Sequence, residues 1–339
     1  MKSFKIHEDI CRAVKFHPSL PIFVSGGDDM KATVFHFEKG KEICSFNAHS
    51  DTIRSLEFHP RFPWVVSASD DMTARIWNWQ SADSELTITG HTDYVMCAKF
   101  HPTEDHLLFT GSLDATVRLW DITNLIKSHT EFDAARHQKK IDLFAMPKFV
   151  YKYSMRHSRG VNWFSLSSDG LLYAVDDNHA TKIWRYRDES AHEVDTLFHH
   201  KKSITCIATL SQHGDLFVTC SEDGSLCLWD SERRTVIKSF NLNFNNLWHI
   251  VSHPNKNILA LAHDMGFCVF KLYRERPSFT VVPRALSEQR SKSSSTKGSQ
   301  SKQQQQIDHL IYFIHHKSLY EYSAVKDTSK VVCKLKLRA

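Results

Sequence analysis

The side chains best suited to binding chemistry recur at equivalent places in a repeated sequence. Arg12 and Arg54 each lie four residues before a Phe-His-Pro phrase, and Asp28 and Asp70 each open the acidic turn that follows it. Tyr94 lies six residues before a third such phrase. Arginine forks suit carboxylates, and aspartates beside a tyrosine suit a lysine ammonium. These five side chains predict a surface that binds a peptide with a carboxylate and one or more ammonium groups; the alternative is a solvated charged rim.

A repeat of 42 residues positions these side chains, since Phe-His-Pro occurs at 16–18, 58–60 and 100–102. Each phrase is followed by a hydrophobic run, a turn of small and acidic residues, and a second run that ends in an aromatic residue: Phe35, Trp77 or Trp120. A period near 42 that opens on Gly-His or His-x-Asp and closes on Trp-Asp is typical of WD repeats. Each such repeat forms one four-stranded blade of a β-propeller.

The alternating apolar residues predict an all-β propeller with six readable blades and a makeshift or incomplete seventh. We expect the propeller over 1–284, a low-complexity Ser/Lys/Gln loop over 285–306, and a strand-rich tail over 307–339. The loop contains too little apolar surface to order itself. The tail is predicted either to fold back as a seventh blade, with Met1–Ile6 as its outer strand, or to begin a second propeller.

The repeated His, Asp and Trp residues are interpreted as structural. A carboxylate in the turn of each blade can accept a hydrogen bond from the histidine that opens the blade. The residues assigned this role are His49, Asp71, Trp77, His91, Asp114 and Trp120. The Phe-His-Pro histidines lie one blade apart and do not converge on one ion, so no metal or other cofactor is expected. No nucleophile elbow, phosphate-binding loop or catalytic cysteine pair is present in the sequence, and enzymatic activity is not expected.

The composition is that of an ordinary globular protein. The net charge of +5 is thinly spread, which argues against nucleic-acid binding. The eight cysteines include no Cys-x-x-Cys pair and lie mostly in apolar runs, as expected in a reducing compartment. No apolar stretch approaches the length that spans a bilayer. We therefore expect a cytoplasmic protein whose membrane association is peripheral and depends on partners.

Several phrases resemble the first propeller of the coatomer alpha subunits, which belong to the COPI vesicle coat. They include Phe23-Val-Ser-Gly-Gly-Asp-Asp29, Arg75-Ile-Trp-Asn-Trp-Gln-Ser81, Thr89-Gly-His-Thr-Asp-Tyr-Val-Met-Cys-Ala98 and Arg159-Gly-Val-Asn-Trp163. The resemblance covers about residues 4–277 and is more specific than WD repeats in general. It implies a non-enzymatic coat subunit on Golgi and COPI-coated vesicle membranes, which joins other coatomer subunits. It also implies binding of the C-terminal dilysine signals of membrane cargo for Golgi-to-ER retrieval, through positions matching Arg12, Asp28, Asp70 and Tyr94.

Two departures from the family pattern favour an alternative function. Lys2-Ser-Phe-Lys-Ile-His-Glu-Asp9 resembles the approach to the family's second blade, so the first blade has no counterpart, and Thr52 stands where the family has a tyrosine. The family's second propeller and helical region also have no counterpart, and whether the chain is a fragment or a reduced subunit stays open. The alternative is a WD-repeat interaction scaffold whose cargo site is decayed.

Overall fold

A computed structural model describes residues 4–135, 149–167, 169–187, 190–210, 216–254, 256–274, 309–315, 318–323 and 328–334. Its antiparallel sheets confirm the predicted all-β propeller with six blades. Blades one to three contain β1 (Cys11–Phe16), β2 (Ile22–Gly27), β3 (Lys31–His36), β4 (Lys41–Asn47); β5 (Ile53–Phe58), β6 (Trp64–Ser69), β7 (Ala74–Asn78), β8 (Asp83–Ile88); and β9 (Val95–Phe100), β10 (Leu107–Ser112), β11 (Thr116–Asp121), β12 (Val150–Arg156).

The second half of the ring repeats this order. Blades four to six contain β13 (Val161–Leu166), β14 (Leu171–Asp176), β15 (Ala180–Tyr186), β16 (Ala191–Phe198); β17 (Ile204–Thr209), β18 (Leu216–Ser221), β19 (Ser225–Asp230), β20 (Thr235–Asn241); and β21 (Leu247–Ser252), β22 (Ile258–His263), β23 (Gly266–Arg274). The inner strands approach one another in the order β1, β5, β9, β13, β17, β21.

The core lies between neighbouring blades. Every residue of the second strands β6, β10 and β14 is buried, because each of these strands is covered by an adjacent blade on both faces. Near-continuous apolar runs such as Trp64-Val-Val and Leu107-Leu-Phe supply this two-sided burial. Five apolar clusters result, one at each interface from blades one and two to blades five and six.

The segment that follows β11 is helical. Helix α1 (Thr123–Ala135) is preceded by Ile122, and both Ile122 and Leu125 pack into the core between blades two and three. The outer strand β12 of blade three therefore begins only at Val150. No helix in the described ranges is long and apolar enough to cross a membrane.

The tail strands extend the sixth sheet. Strand β24 (His309–His315) pairs with β23, and β25 (Ser318–Ser323) and β26 (Thr328–Lys334) continue the sheet outward. The predicted loop over 285–306 lies outside the described residues. Of the predicted outer strand Met1–Ile6, residues 4–6 are described; they form no strand, and Phe4 packs on Phe35 with ring centroids 4.9 Å apart.

Candidate functional site

A β-bulge at the start of each inner strand positions the side chains of the rim. In blade one Cys11 pairs with Gly27 and Ala13 with Gly26, so Arg12 is left out of the ladder. The same register shift leaves Arg54 out of the strand ladder in blade two. A bulge re-aims the extra side chain away from the sheet. The equivalent bulged residues of blades three to six are Met96, Asn162, Thr205 and Trp248.

Each rim arginine forms a two-pronged ion pair with the aspartate that opens the turn of its own blade. Arg12 Nε and Nη2 donate to the two carboxylate oxygens of Asp28 over 2.7 and 2.8 Å. In blade two Arg54 Nε donates to Asp70 Oδ1 over 2.8 Å, and its Nη2 donates to Oδ2. This fork-to-fork geometry is the strongest arrangement for an arginine and a carboxylate. Both aspartates are therefore already satisfied by protein partners.

The two ion pairs lie side by side. The charge of Asp70 acts on Arg12, and the charge of Arg54 acts on Asp28, across the boundary between blades one and two. The Arg12 fork lowers the pKa of Asp28 below its ordinary value. The Asp70 side chain is 6% exposed and the Asp28 side chain 18%. The result is a compact, charge-balanced group on the rim of blades one and two.

Tyr94 occupies the same place on blade three that Thr52 occupies on blade two. Its backbone carbonyl accepts from Leu113 N over 2.9 Å, and its backbone N donates to Asp93 Oδ1 over 2.7 Å. The residue is 39% exposed. Blade three has no ion pair at its bulge because Met96 and Leu113 replace the arginine and the aspartate. Tyr94 therefore ends the charged stretch of the rim.

Blades four to six carry acids at the turn position without a rim arginine. These acids are Asp177, Glu222 and Asp264, which align with Asp28 in the repeat. Asp177 Oδ1 accepts from Asn162 Nδ2 and from Ser203 Oγ, each over 2.8 Å. These three acids are not among the predicted binding residues, although the repeat aligns them with Asp28 and Asp70.

The second aspartate of each turn lies in a different network. His49 Nδ1 contacts Asp71 Oδ2 at 2.8 Å, and His49 Nε2 contacts Ser67 Oγ at 2.7 Å. Trp77 Nε1 donates to the same Ser67 oxygen over 3.1 Å. Thr73 donates to Asp71 through its backbone N and its hydroxyl. This buried network joins the turn, the second strand and the third strand of blade two.

Blade three repeats the network with His91, Asp114, Thr110 and Trp120. His91 Nδ1 lies 2.7 Å from Asp114 Oδ2, and Trp120 Nε1 donates to Thr110 Oγ1 over 2.8 Å. Although burial alone raises it, hydrogen bonds from His91 and Thr116 bring the pKa of Asp114 well below its ordinary value. Burial lowers the pKa of His91 despite the nearby carboxylate, so the pair is a neutral imidazole and an ionised acid.

An aromatic contact joins the inner strands of two blades that are not neighbours. Trp163 of blade four contacts His249 of blade six, with ring centroids 4.7 Å apart and nearly perpendicular rings. Lys99 Nζ lies 5.1 Å from the centroid of the Trp163 ring. Lys15 and Glu57, at the same strand position as Lys99, form an ion pair of 3.0 Å. Burial lowers the pKa of Lys99.

The repeats match a known family model. "WD domain, G-beta repeat" matches residues 1–36, 40–78, 83–121 and 192–230. Among solved structures, "Structure of U3-55K" has a TM-score of 0.65 at 16% identity and covers 79% of both chains. At that identity the likeness concerns the fold alone.

Curated relatives give a more specific likeness. The chain is 44% identical over 146 residues to "Coatomer subunit alpha-2" of Oryza sativa subsp. japonica, which is 42% of this chain and 12% of that protein. It is 36% identical over 197 residues to "Putative coatomer subunit alpha" of Schizosaccharomyces pombe, covering 58% of this chain and 14% of the relative. "Coatomer subunit alpha" of Saccharomyces cerevisiae is 39% identical over 166 residues, covering 46% and 14%.

The matched segments thus span about one seventh or less of these relatives. The 42-residue period, the six antiparallel sheets and the family-model matches agree with one another. The chain is therefore a six-bladed β-propeller in which four segments match the WD repeat, and its repeats are similar to those of the coatomer alpha subunits.

Proposed function

We propose that this chain is a coat-subunit propeller that binds the lysine-bearing C-terminal tails of membrane cargo on the rim of blades one to three. The observation that carries this proposal is the pair of adjacent arginine–aspartate forks, Arg12 with Asp28 and Arg54 with Asp70. They offer both cations and anions within one small area. A tail with a terminal carboxylate and lysine ammonium groups has the complementary charges.

Binding proceeds by exchange of ion pairs. The ligand carboxylate binds the guanidinium of a rim arginine. A lysine ammonium of the ligand then binds the aspartate that this arginine has released. The number of ion pairs rises while no charge is left unpaired, so the exchange avoids leaving a desolvated charge. Tyr94 extends the surface with a partly exposed ring beside which a lysine stem packs. No bond is made or broken, and no enzymatic step is involved.

The biological setting follows from the likeness to coatomer alpha subunits. In this proposal the chain joins other coatomer subunits, sits peripherally on Golgi and COPI-coated vesicle membranes from the cytoplasm, and selects dilysine cargo for retrieval to the ER. Binding of nucleic acid and use of a cofactor form no part of it. The acids Asp177, Glu222 and Asp264, which have no rim arginine beside them in the repeat, add to the attraction of a cationic tail toward this face.

The second candidate is a scaffold whose rim no longer reads cargo. One observation favours it: Asp28 and Asp70 are already held by arginines in the free chain. In that case the ion pairs rigidify the rim and have no ligand. Peptide binding separates the two functions.

The test measures affinity for four peptides by fluorescence anisotropy: a dilysine tail and its lysine-to-alanine version, each as the free acid and as the C-terminal amide. Cargo binding predicts that Asp70→Asn removes the preference for lysine over alanine, a loss of about 1.5–3 kcal/mol for one charge-assisted bond. Arg54→Gln should instead remove the preference for the free acid over the amide.

A matched control is Asp105→Asn, which breaks the Arg61–Asp105 ion pair of 2.8 Å away from the rim. It should leave all four affinities unchanged. If the unmodified chain binds the lysine and alanine peptides equally well, the cargo proposal fails and the scaffold function stands.

A further inference from the structure

Two cysteines of blade five face each other across a strand ladder. Cys206 of β17 pairs directly with Cys220 of β18, just after the bulged residue Thr205. Both cysteines are 0% exposed, and both belong to the apolar cluster between blades five and six. Directly opposed residues of an antiparallel pair project from the same face of the sheet. The two thiols therefore lie side by side in this cluster.

The other five blades carry no second cysteine at this level. The equivalent pairs are Ala13 with Gly26, Ser55 with Ala68, Cys97 with Gly111, Trp163 with Val175, and His249 with Ala262. In blade three a Cβ added at Gly111 would lie only 2.9 Å from Cys97 Sγ. Packing at this level accepts glycine, alanine or valine on the second strand, so it does not by itself account for a thiol at Cys220.

The backbone geometry of the pair suits a disulfide. Directly opposed residues of an antiparallel ladder have Cα atoms about 4.5–5.5 Å apart. A disulfide bridges Cα atoms that are about 4.4–6.8 Å apart. The ladder continues without a further register shift from Cys206 to Thr209. Joining the two sulfurs therefore requires rotation of the side chains and no displacement of the strands.

Both cysteines are free thiols in the structure, and each has an acceptor for its hydrogen. Cys206 Sγ donates to the backbone carbonyl of Ile250 in blade six over 3.5 Å. Cys220 Sγ lies 3.3 Å from the Thr205 hydroxyl, which itself donates to the Leu247 carbonyl over 2.7 Å. The hydroxyl oxygen of Thr205 is therefore the acceptor for the Cys220 thiol. Both thiol hydrogens are used where blade five meets blade six.

The inner strand of blade six places a histidine close to Cys206. His249 holds on β21 the position that Cys206 holds on β17, directly after the bulge. Although burial alone raises it, the neighbouring Cys220 and the charge of His249 lower the pKa of the Cys206 thiol below its ordinary value. Burial raises the pKa of Cys220. Because the thiolate is the nucleophile, Cys206 is the thiol that reacts first with an oxidant.

We propose that Cys206 and Cys220 are a redox pair that hydrogen peroxide oxidises to a disulfide within blade five. The Cys206 thiolate attacks one peroxide oxygen and breaks the O–O bond, which gives a sulfenic acid and a hydroxide. The hydroxide takes the proton that Cys206 has lost and becomes water. The Cys220 sulfur then attacks the sulfenic sulfur and expels its hydroxyl group, which leaves with the Cys220 proton as a second water. The two sulfurs together lose two electrons.

Oxidation changes the contact between blades five and six. The disulfide has no thiol hydrogen, so the Ile250 carbonyl loses its Cys206 donor, whereas the hydrogen bond from Thr205 to Leu247 is kept. One hydrogen bond between the blades is thus exchanged for a covalent bond within blade five. This inference is independent of cargo binding on the rim.

The test treats the folded, unmodified chain with hydrogen peroxide, removes the peroxide with catalase, and unfolds the chain in N-ethylmaleimide to block the remaining thiols. Trypsin followed by Asp-N, which cleaves before Asp215 and Asp223, places Cys206, Cys220 and Cys227 on three separate peptides. Mass spectrometry should find the peptides of Cys206 and Cys220 joined. We expect this link to be about tenfold or more above any other cysteine pair, since the ladder holds these two thiols together.

Cys206→Ala and Cys220→Ala should each abolish the link. The matched control is Cys227→Ala, because Cys227 is also buried in blade five but packs in the cluster shared with blade four, so its loss should leave the link intact. Mapping of the unmodified chain keeps the test decisive if a variant does not fold.

Oxidation of Cys11, which is exposed, shows that the peroxide was active. The proposal is overturned if Cys11 is oxidised while Cys206 and Cys220 remain blocked as separate thiols, which means that they are inert core residues. It is also overturned if the link forms only when peroxide is added to the urea-unfolded chain, or if it is no more abundant than other cysteine pairs.

Discussion

Adjacent aspartates in one turn serve different partners. Asp70 faces the rim and Arg54, whereas Asp71 faces the interior and His49. The two roles are predictable from the sequence, because one structural hydrogen bond needs only one acid. The ion pair of the first acid with an arginine of the same blade was not predicted. The signal was available: Arg12 precedes Asp28, and Arg54 precedes Asp70, by the same 16 residues.

The His–Asp networks predict that stability falls with pH in two stages. Burial lowers the pKa of His49 and His91 from the ordinary 6.5, so the folded state binds fewer protons than the unfolded state, and their contribution is lost as pH falls below 6.5. Despite burial, hydrogen bonds from the histidines and threonines lower the pKa of Asp71 and Asp114 from 3.8, and their contribution is lost below that pH.

Thermal unfolding followed by circular dichroism at pH 7.5, 6.0 and 5.0 checks the first stage. Tm should fall from pH 6.0 to 5.0, and His49→Gln should have a lower Tm at pH 7.5 but a smaller fall over that step. His200 acts in the opposite direction between pH 7.5 and 6.0, because its pKa is raised to about 9 and its contribution to stability is complete only below the unfolded value of 6.5. A chain equally stable at pH 6.0 and 5.0 would contradict the assignment of neutral buried histidines.

At the scale of the strand, Trp77 near the end of β7 donates a hydrogen bond in addition to burying an apolar ring. Ser67 accepts from Trp77 and donates to His49 Nε2, whereas in blade one Phe35 replaces the tryptophan and the Ser25 hydroxyl has only His7 as its side-chain partner among the described residues. Trp77→Phe should therefore lower the free energy of unfolding by about 1–2 kcal/mol for the lost bond.

Urea denaturation measures this loss, with Trp79→Phe as the matched control. Trp79 Nε1 is buried and has no hydrogen-bond partner among the described residues, so its replacement removes no bond and should cost less. Equal losses for both variants would show that packing, and not the indole donor, determines the effect.

The strands themselves could be predicted because the repeat supplies six aligned copies of one pattern, in which β2, β6 and β10 each follow a Phe-His-Pro phrase. Helix α1 could not, because its contacts with the core come mainly from Leu125 and Ile126 in its first turn, too short an apolar stretch to show helical periodicity in the sequence. The rim bulges were also beyond the sequence. A one-residue register shift depends on how two strands pair, and the apolar alternation alone does not encode it.

On the scale of the whole molecule, the tail was expected to act as a blade of its own or to begin another propeller. In the structure it lengthens the sixth sheet, with β24 covering the edge of β23 from Phe270 to Arg274. An uncovered strand edge pairs readily with other chains. We therefore expect the main role of the tail to be protection of this edge from pairing with other chains.

Deleting 307–339 should yield a chain that aggregates or unfolds without cooperativity, because β23 becomes an open edge. Size-exclusion chromatography and thermal unfolding measure both outcomes. Deleting only 328–339 removes β26 but keeps β24 on β23, and this shorter deletion should remain soluble. A soluble and equally stable product of the longer deletion would show that the edge needs no cover.

The contact between Trp163 and His249 joins blades four and six, which are not neighbours in the ring. Trp163 also packs against three of the apolar clusters, those between blades three and four, four and five, and five and six. One side chain shared by three interfaces makes them interdependent, because a shift in any one of them moves the ring that the other two pack against. We therefore expect blades three to six to unfold as one cooperative unit.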